Sequence, residues 1–266
     1  MMIKKFLLFH LLITLLTGCM TTDQFSTYLE EKPNNPQGVN VADALLKTGD
    51  ARAAAGIYER LLVTQPESEV LWNRYADALY KQGHHRKAIV AYEKLGAITE
   101  YDCSSSVGMG NSHLKLGRPT IAGSFFSQCL SLDENHEYAL IGRAIAFDVS
   151  GRSDLALSFY AKAISKKPED IGLRNNYGLS LLMAGKLDAA VAEFGKIAFT
   201  EFSTVQVRQN LALAYGMIGD MNAARQVSSL DLSPDIVASN LKIYEHVRRL
   251  PGNDGLKSLL FEGKAR

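Results

Sequence analysis

Gly151-Arg152-Ser153-Asp154-Leu155-Ala156-Leu157-Ser158-Phe159-Tyr160 sets a glycine, an alanine five residues on and an aromatic nine residues on. Stepping 34 residues either way finds the trio again: Gly117, Ala122 and Phe126 before it, Gly185, Ala190 and Phe194 after it. The series runs outward through Gly83, Ala88 and Tyr92 to Gly49, Ala54 and Tyr58. At the other end come Gly219 and Ala224, with Ser228 where the aromatic would be. Seven residues before each glycine stands a small residue: Ala42, Ala76, Gly110, Ala144, Gly178 and Ala212. With glycine near 7% of average sequence, six in register arise by chance on the order of once in ten million.

An uninterrupted period of 34 with this pattern resembles the tetratricopeptide repeat, over about residues 35 to 238. The resemblance implies an all-α fold: a right-handed solenoid of about six antiparallel helix pairs. The repeated glycine suits a helix end that needs a left-handed backbone. The small residue on the first helix and the alanine on the second let the two helices approach closely. The aromatic fills the gap toward the next pair, and stacking supplies a core that one pair alone cannot bury. Pro66 and Pro168 fall between repeats and Pro119 at the start of a second helix, so none interrupts an expected helix. Ser233-Pro234 then reads as an N-cap and first helical residue. Ile236, Val237, Leu241, Tyr244, Val247 and Leu250 give an apolar face up to Pro251-Gly252, the pattern of a C-terminal capping helix. Beyond it, residues 253–266 read as a loose tail, or as a turn or two docked through Leu256, Leu259, Leu260 and Phe261.

The chain has 266 residues, 47% of them hydrophobic and 21% charged, which excludes wholesale disorder. With 29 Lys and Arg against 28 Asp and Glu there is no basic field for nucleic acid. Lys4 and Lys5 followed by an apolar run from Phe6 to Leu16 read as a secretory signal, too short for a spanning helix of about 20 residues. The run ends in Leu16-Thr17-Gly18-Cys19, which resembles the bacterial lipobox. That resemblance implies removal of residues 1–18 and a diacylglyceryl and acyl lipid on Cys19. The alternative is an ordinary signal with a chance cysteine. Met20 after the cysteine, by the lipoprotein sorting rule, points to the periplasmic face of a Gram-negative outer membrane. Loss of Lys4 and Lys5 turns the net charge from +1 to −1. Residues 19–37 are polar, hold Pro33 and Pro36, and read as a tether. The expected organisation is thus signal 1–18, lipidated tether 19–37, repeat array 38–232, and capping helix with tail 233–266.

Nothing in the chain points to catalysis. None of its six histidines is spaced with a glutamate as in a zinc-protease helix, so no metal site is expected. Gly108-Met109-Gly110 belongs to a repeat helix rather than to a phosphate loop. No cofactor is expected beyond the lipid on Cys19, and no small-molecule substrate. Cys103 and Cys129 fall at neighbouring ends of one expected hairpin. An oxidising compartment allows a disulfide there, and two buried thiols are the alternative. The run His84-His85-Arg86-Lys87 is either a solvated turn or a contact for a headgroup or partner.

The expected working surface is the concave groove lined by the first helix of each pair. Groove positions carry Asn73, Asp77 and Tyr80 in the second repeat and Val107, Asn111 and Leu114 in the third. They continue with Tyr138, Ile141, Ile145 and Asp148, then Asn175, Leu179 and Leu182, then Gln206, Gln209 and Leu213. An apolar groove rimmed by amides suits an amphipathic helix or extended segment of a protein partner. Self-burial of Ile141, Ile145, Leu179 and Leu182 is the competing outcome. The Lys and Arg pattern that clamps an acidic C-terminus is not visible.

Arg208-Gln-Asn-Leu-Ala-Leu-Ala-Tyr-Gly-Met-Ile-Gly-Asp220, then Asp231-Leu-Ser-Pro-Asp235 and Asn240-Leu241 with Tyr244, resembles the ending of the TadD family of tight-adherence (Flp) pilus lipoproteins. That resemblance implies an accessory protein that helps an outer-membrane secretin assemble, with a secretin or another pilus component as partner. The alternatives are a type IV pilus pilotin-like or outer-membrane-protein assembly lipoprotein, or an envelope scaffold that gathers cell-wall enzymes.

Overall fold

A computed structural model of the protein describes residues 36–250, 254–257 and 259. The assignments of residues 1–18, of Cys19 and of the tether through residue 35 lie outside the described residues. The described chain forms helices and turns without a strand, in two compact units divided between Glu100 and Tyr101.

The first unit contains α1 (Pro36–Thr48), α2 (Ala51–Thr64), α3 (Glu69–Lys81) and α4 (His85–Ile98). α1 opens at Pro36, where a fixed φ suits a first helical turn, two residues before the array boundary set at residue 38. Tyr58, Leu61 and Leu71 build its core with Ala42 and Ala54, and Trp72 and Tyr75 pack against them. Trp72 keeps its indole N–H satisfied by donating to the Pro66 carbonyl at 2.7 Å.

The second unit contains four more pairs: α5 (Cys103–Lys115) with α6 (Pro119–Leu132), α7 (Glu137–Val149) with α8 (Ser153–Lys166), α9 (Ile171–Met183) with α10 (Leu187–Ile197), and α11 (Val205–Ile218) with α12 (Met221–Ser228). α13 (Pro234–Arg249) packs on both α11 and α12 and closes the last pair, and the short α14 (Asp254–Lys257) rests on α13. Ser228 is small and fully buried, and the ring of Tyr244 from α13 lies against Gly216 of α11. A bidentate pair from Arg208 to Asp231, at 2.8 and 2.6 Å, ties α11 to the segment that leads into α13. Leu256 is buried and Leu259 packs against the same core, whereas Leu260 and Phe261 lie outside the described residues. Among the described residues no helix is long and apolar enough to cross a membrane.

The repeated residues do what their chemistry requires. All six glycines at 34-residue spacing have φ between 69° and 104°, the left-handed region in which a side chain is strained. Ala54, Ala88, Ala122, Ala156, Ala190 and Ala224 are each 0% exposed, the mark of close helix approach. Tyr58, Tyr92, Phe126, Tyr160 and Phe194 are buried beside them.

A further column emerges at the starts of the first helices. Ser68, Asp102, His136, Asp170 and Thr204, again 34 apart, each accept from the backbone N–H three residues on: Leu71, Ser105, Ala139, Leu173 and Val207. Each satisfies one of the four free donors that a helix start presents. The second helices are capped differently. Asp50 and Asp220 cap the first and last of them, and the four between start at His84, Arg118, Arg152 and Lys186 with no side-chain cap.

Candidate functional site

The first helices of the second unit form one layer, because α5 touches α7, α7 touches α9 and α9 touches α11. Two clefts lie along this layer and share Gln206 as a common wall. The larger, roughly 550 Å³, lies where α9 and α11 begin, between Glu169, Asp170, Asn175, Phe202, Thr204 and Gln206. The smaller, roughly 270 Å³, lies among Ile145, Asp148, Val149, Leu179 and Met183, with Asn176 and Asn210 on its walls.

The groove residues expected from the sequence divide among several fates. Ile145 and Leu179 line the smaller cleft and Asn175 the larger one. Asn210 Nδ2 donates to Asn175 Oδ1 at 2.7 Å, so the two amides brace α11 against α9. Ile141 is half-buried against the Tyr160 cluster and Asn111 is half-buried on α5. Tyr138 is 64% exposed at the start of α7 and lines neither cleft.

Leu182 requires correction. It is 0% exposed and part of the core, so it offers nothing to a partner. The reason is angular: three residues past Leu179 on α9, it has turned from the cleft toward the packing seam. Leu213, another expected groove residue, is buried likewise. Gln209 also faces elsewhere, donating from Nε2 to Asp231 at 3.4 Å, while Gln206 and Asn210 of the same helix face the clefts. Asn73, Asp77 and Tyr80 lie on α3 of the first unit, where Asp77 accepts from the Tyr92 hydroxyl and Tyr80 stands beside the His85 ring.

Phe202 was not anticipated. It lies in the link between α10 and α11, outside the helical periodicity, and is 73% exposed. An aromatic in an inter-repeat link is the only sequence signal for it.

The charged residues that line the two clefts are of one sign. Glu169 and Asp170 line the larger cleft and Asp148 the smaller, and among the described residues no Lys, Arg or His lines either. Asp148 is 5% exposed and accepts from Ser180 Oγ at 2.8 Å, which joins α7 to α9. Burial pushes its carboxyl up to about 6, against the opposing pull of the Ser180 hydrogen bond. Burial and the neighbouring Asp148 charge both push the Tyr160 hydroxyl well above its usual range.

Cys103 at the start of α5 and Cys129 near the end of α6 are bonded to each other, with Cα atoms 4.6 Å apart. His136 lies beside them, its donor atom within 4.8 Å of the sulfurs. With the sulfurs joined there is no thiolate to hold a metal.

The tetratricopeptide-repeat family model matches residues 41–101. Solved structures extend the likeness along the chain. PilW, a widely conserved type IV pilus biogenesis factor, aligns at a TM-score of 0.69 and 18% identity, covering 79% of this chain and 98% of PilW. A tetratricopeptide repeat protein from Parabacteroides merdae aligns at 0.62 and 18% identity, covering 84% of this chain and 90% of its own. YrrB, a repeat protein with an unusual peptide-binding site, aligns at 0.56 and 18% identity, covering 70% and 97%. No curated protein matches the chain. The fold is therefore the all-α tetratricopeptide-repeat fold.

Proposed function

We propose that this chain is a non-enzymatic protein-binding scaffold, held by lipid at Cys19 on the periplasmic face of the outer membrane, that assists assembly of a tight-adherence (Flp) pilus secretin. The observation that carries the scaffold reading is the pair of adjoining clefts along α7, α9 and α11, whose apolar, amide and carboxylate walls hold no catalytic grouping among the described residues. An apolar recess flanked by amides suits a protein segment, whose side chains fill the recess while its main chain bonds the amides. YrrB, of the same fold, has a peptide-binding site of its own. The anchor rests on the Leu16-Thr17-Gly18-Cys19 sequence, and the pilus assignment on the stretch from Arg208 to Asp220 with its Asp231-Leu-Ser-Pro-Asp235 continuation.

The likeness to PilW favours a second reading, an accessory role in a type IV pilus. Both readings share the anchor and the binding face and differ in the machine served. Deletion of the gene separates them. Loss of tight-adherence secretin multimers from the outer membrane supports the first, and loss of type IV pili with those multimers intact supports the second. Normal multimers and normal pili of both kinds would sink both. For the anchor, Cys19→Ala should leave an unlipidated precursor outside the outer-membrane fraction, and continued outer-membrane enrichment would refute lipidation.

A further inference from the structure

The larger cleft joins two features along one wall. One is an exposed ring, Phe202, at 73% exposure, with Phe199 at 65% in the same link. The other is Glu169, exposed and without a cationic partner among the described residues. An aromatic face attracts a cation through its quadrupole, and a carboxylate across the same recess pairs with that cation. Asp170, with one oxygen on the Leu173 N–H, adds a second negative charge to the rim of this recess beside Glu169. Across Gln206, Ile145, Leu179 and Met183 offer an apolar recess sized for one or two side chains.

We propose that these adjoining clefts take a segment of a partner protein that carries an arginine or lysine next to apolar side chains. The cation lies against Phe202 and Glu169, and an apolar side chain fills the recess between Ile145 and Leu179. Charge complementarity selects this occupant, since Glu169 and Asp170 line the larger cleft and no cationic residue lines either cleft among the described residues. The inference rests on the scaffold reading for its surface, and it stands apart from the pilus assignment.

The test uses the full chain and three acetylated peptides of about 15 residues, about four helical turns. They share one apolar pattern and differ only in carrying Arg, Gln or Glu at the polar positions. Fluorescence anisotropy should rank them Arg, then Gln, then Glu, with about a tenfold step between the first two. Gln206 is exposed and walls both clefts, so a charge can be placed there without threatening the fold. Gln206→Lys should weaken the Arg peptide about tenfold and Gln206→Glu should tighten it. Phe202→Ala should weaken the Arg peptide more than the Gln peptide. Ser158→Lys adds the same charge at an exposed site on α8 and should change nothing.

Equal binding of the Arg and Glu peptides, binding of none, or equal effects of Lys at 206 and at 158 would overturn the proposal. So would self-association that Gln206→Lys abolishes, which would make a second copy the occupant. A normal pilus phenotype on gene deletion would leave this ranking untouched, so the two failures are distinguishable.

Discussion

The Tyr92 hydroxyl donates to Asp77 Oδ1 at 2.5 Å, and one period earlier the Tyr58 hydroxyl donates to Asp43 Oδ1 at the same distance. Each carboxylate stands fifteen residues before its tyrosine. Where that place holds Asn111 or Leu179, the aromatic is Phe126 or Phe194. In the remaining pair it holds Ile145, and the Tyr160 hydroxyl pairs instead with Asp148, twelve residues before it. The ring alone fills the seam, and a hydroxyl is present only where a carboxylate accepts its hydrogen bond, since a buried unpaired hydroxyl is costly. Tyr92→Phe keeps the ring and removes the donor, so it should lower stability by about 1–2 kcal/mol in urea unfolding. Phe194→Tyr faces Leu179 instead and should also destabilise. A neutral Tyr92→Phe would show that the bond adds nothing to the seam.

Gly178 and Gly195 should respond to alanine in opposite directions. A Cβ at Gly178 would stand 2.6 Å from the Phe194 ring, which is 0% exposed and has no room to retreat. Gly178→Ala should therefore cost about 1–3 kcal/mol through overpacking. At Gly195, inside α10, a Cβ meets nothing within 4 Å, and Gly195→Ala should add about 0.5–1 kcal/mol through helix propensity. Thermal melts of the two variants should shift to opposite sides of the wild type, and a shared direction would contradict the packing account.

Asp148 makes stability depend on acidity in the less usual sense. Its carboxyl titrates near 6 when folded, while an unfolded aspartate loses its proton near pH 4. Between these values the folded protein holds more protons, so the group's contribution falls as pH rises from about 4 to about 6 and is level above. Asp148→Asn keeps an acceptor for Ser180 and removes the charge. The stability difference between wild type and variant should shift against the wild type across that window, by on the order of 3 kcal/mol. Urea titrations at about pH 4, 5, 6 and 7 measure it, and a constant difference would refute the assignment.

The bond between Cys103 and Cys129 closes a loop of 26 residues within the second unit. Restricting the unfolded chain over such a loop is worth about 3 kcal/mol. A strong reductant should lower the melting temperature of the wild type but not of a Cys103→Ser, Cys129→Ser double variant. A wild type indifferent to reductant would show that the bridge contributes nothing to stability.

The helix pairs were legible because each rests on a demand that one or two residues answer. A helix end needs positive φ and finds Gly83 or Gly185, and a close crossing needs a small side chain and finds Ala88 or Ala190. The cap column obeys the same period but changes residue type from Ser68 to Asp102 to His136, so identity alone conceals it. The cleft was legible in part, through Ile145, Leu179, Asn175 and Gln206. Leu182 looked equivalent to Leu179, and Gln209 to Gln206.

By itself, then, the sequence determined the repeat, its helices, their turns and the residues that let them pack. Those are local requirements, and a period of 34 restates them often enough to be read. Only the tertiary structure decided which faces remained open. Whether Leu182 joins the core or a cleft depends on the angle at which α9 meets its neighbours. Phe202 lines the same cleft as Glu169 because two links from different repeats come together where α9 and α11 begin. Such neighbours are far apart in the chain and share no period, so their meeting is a property of the packed helices.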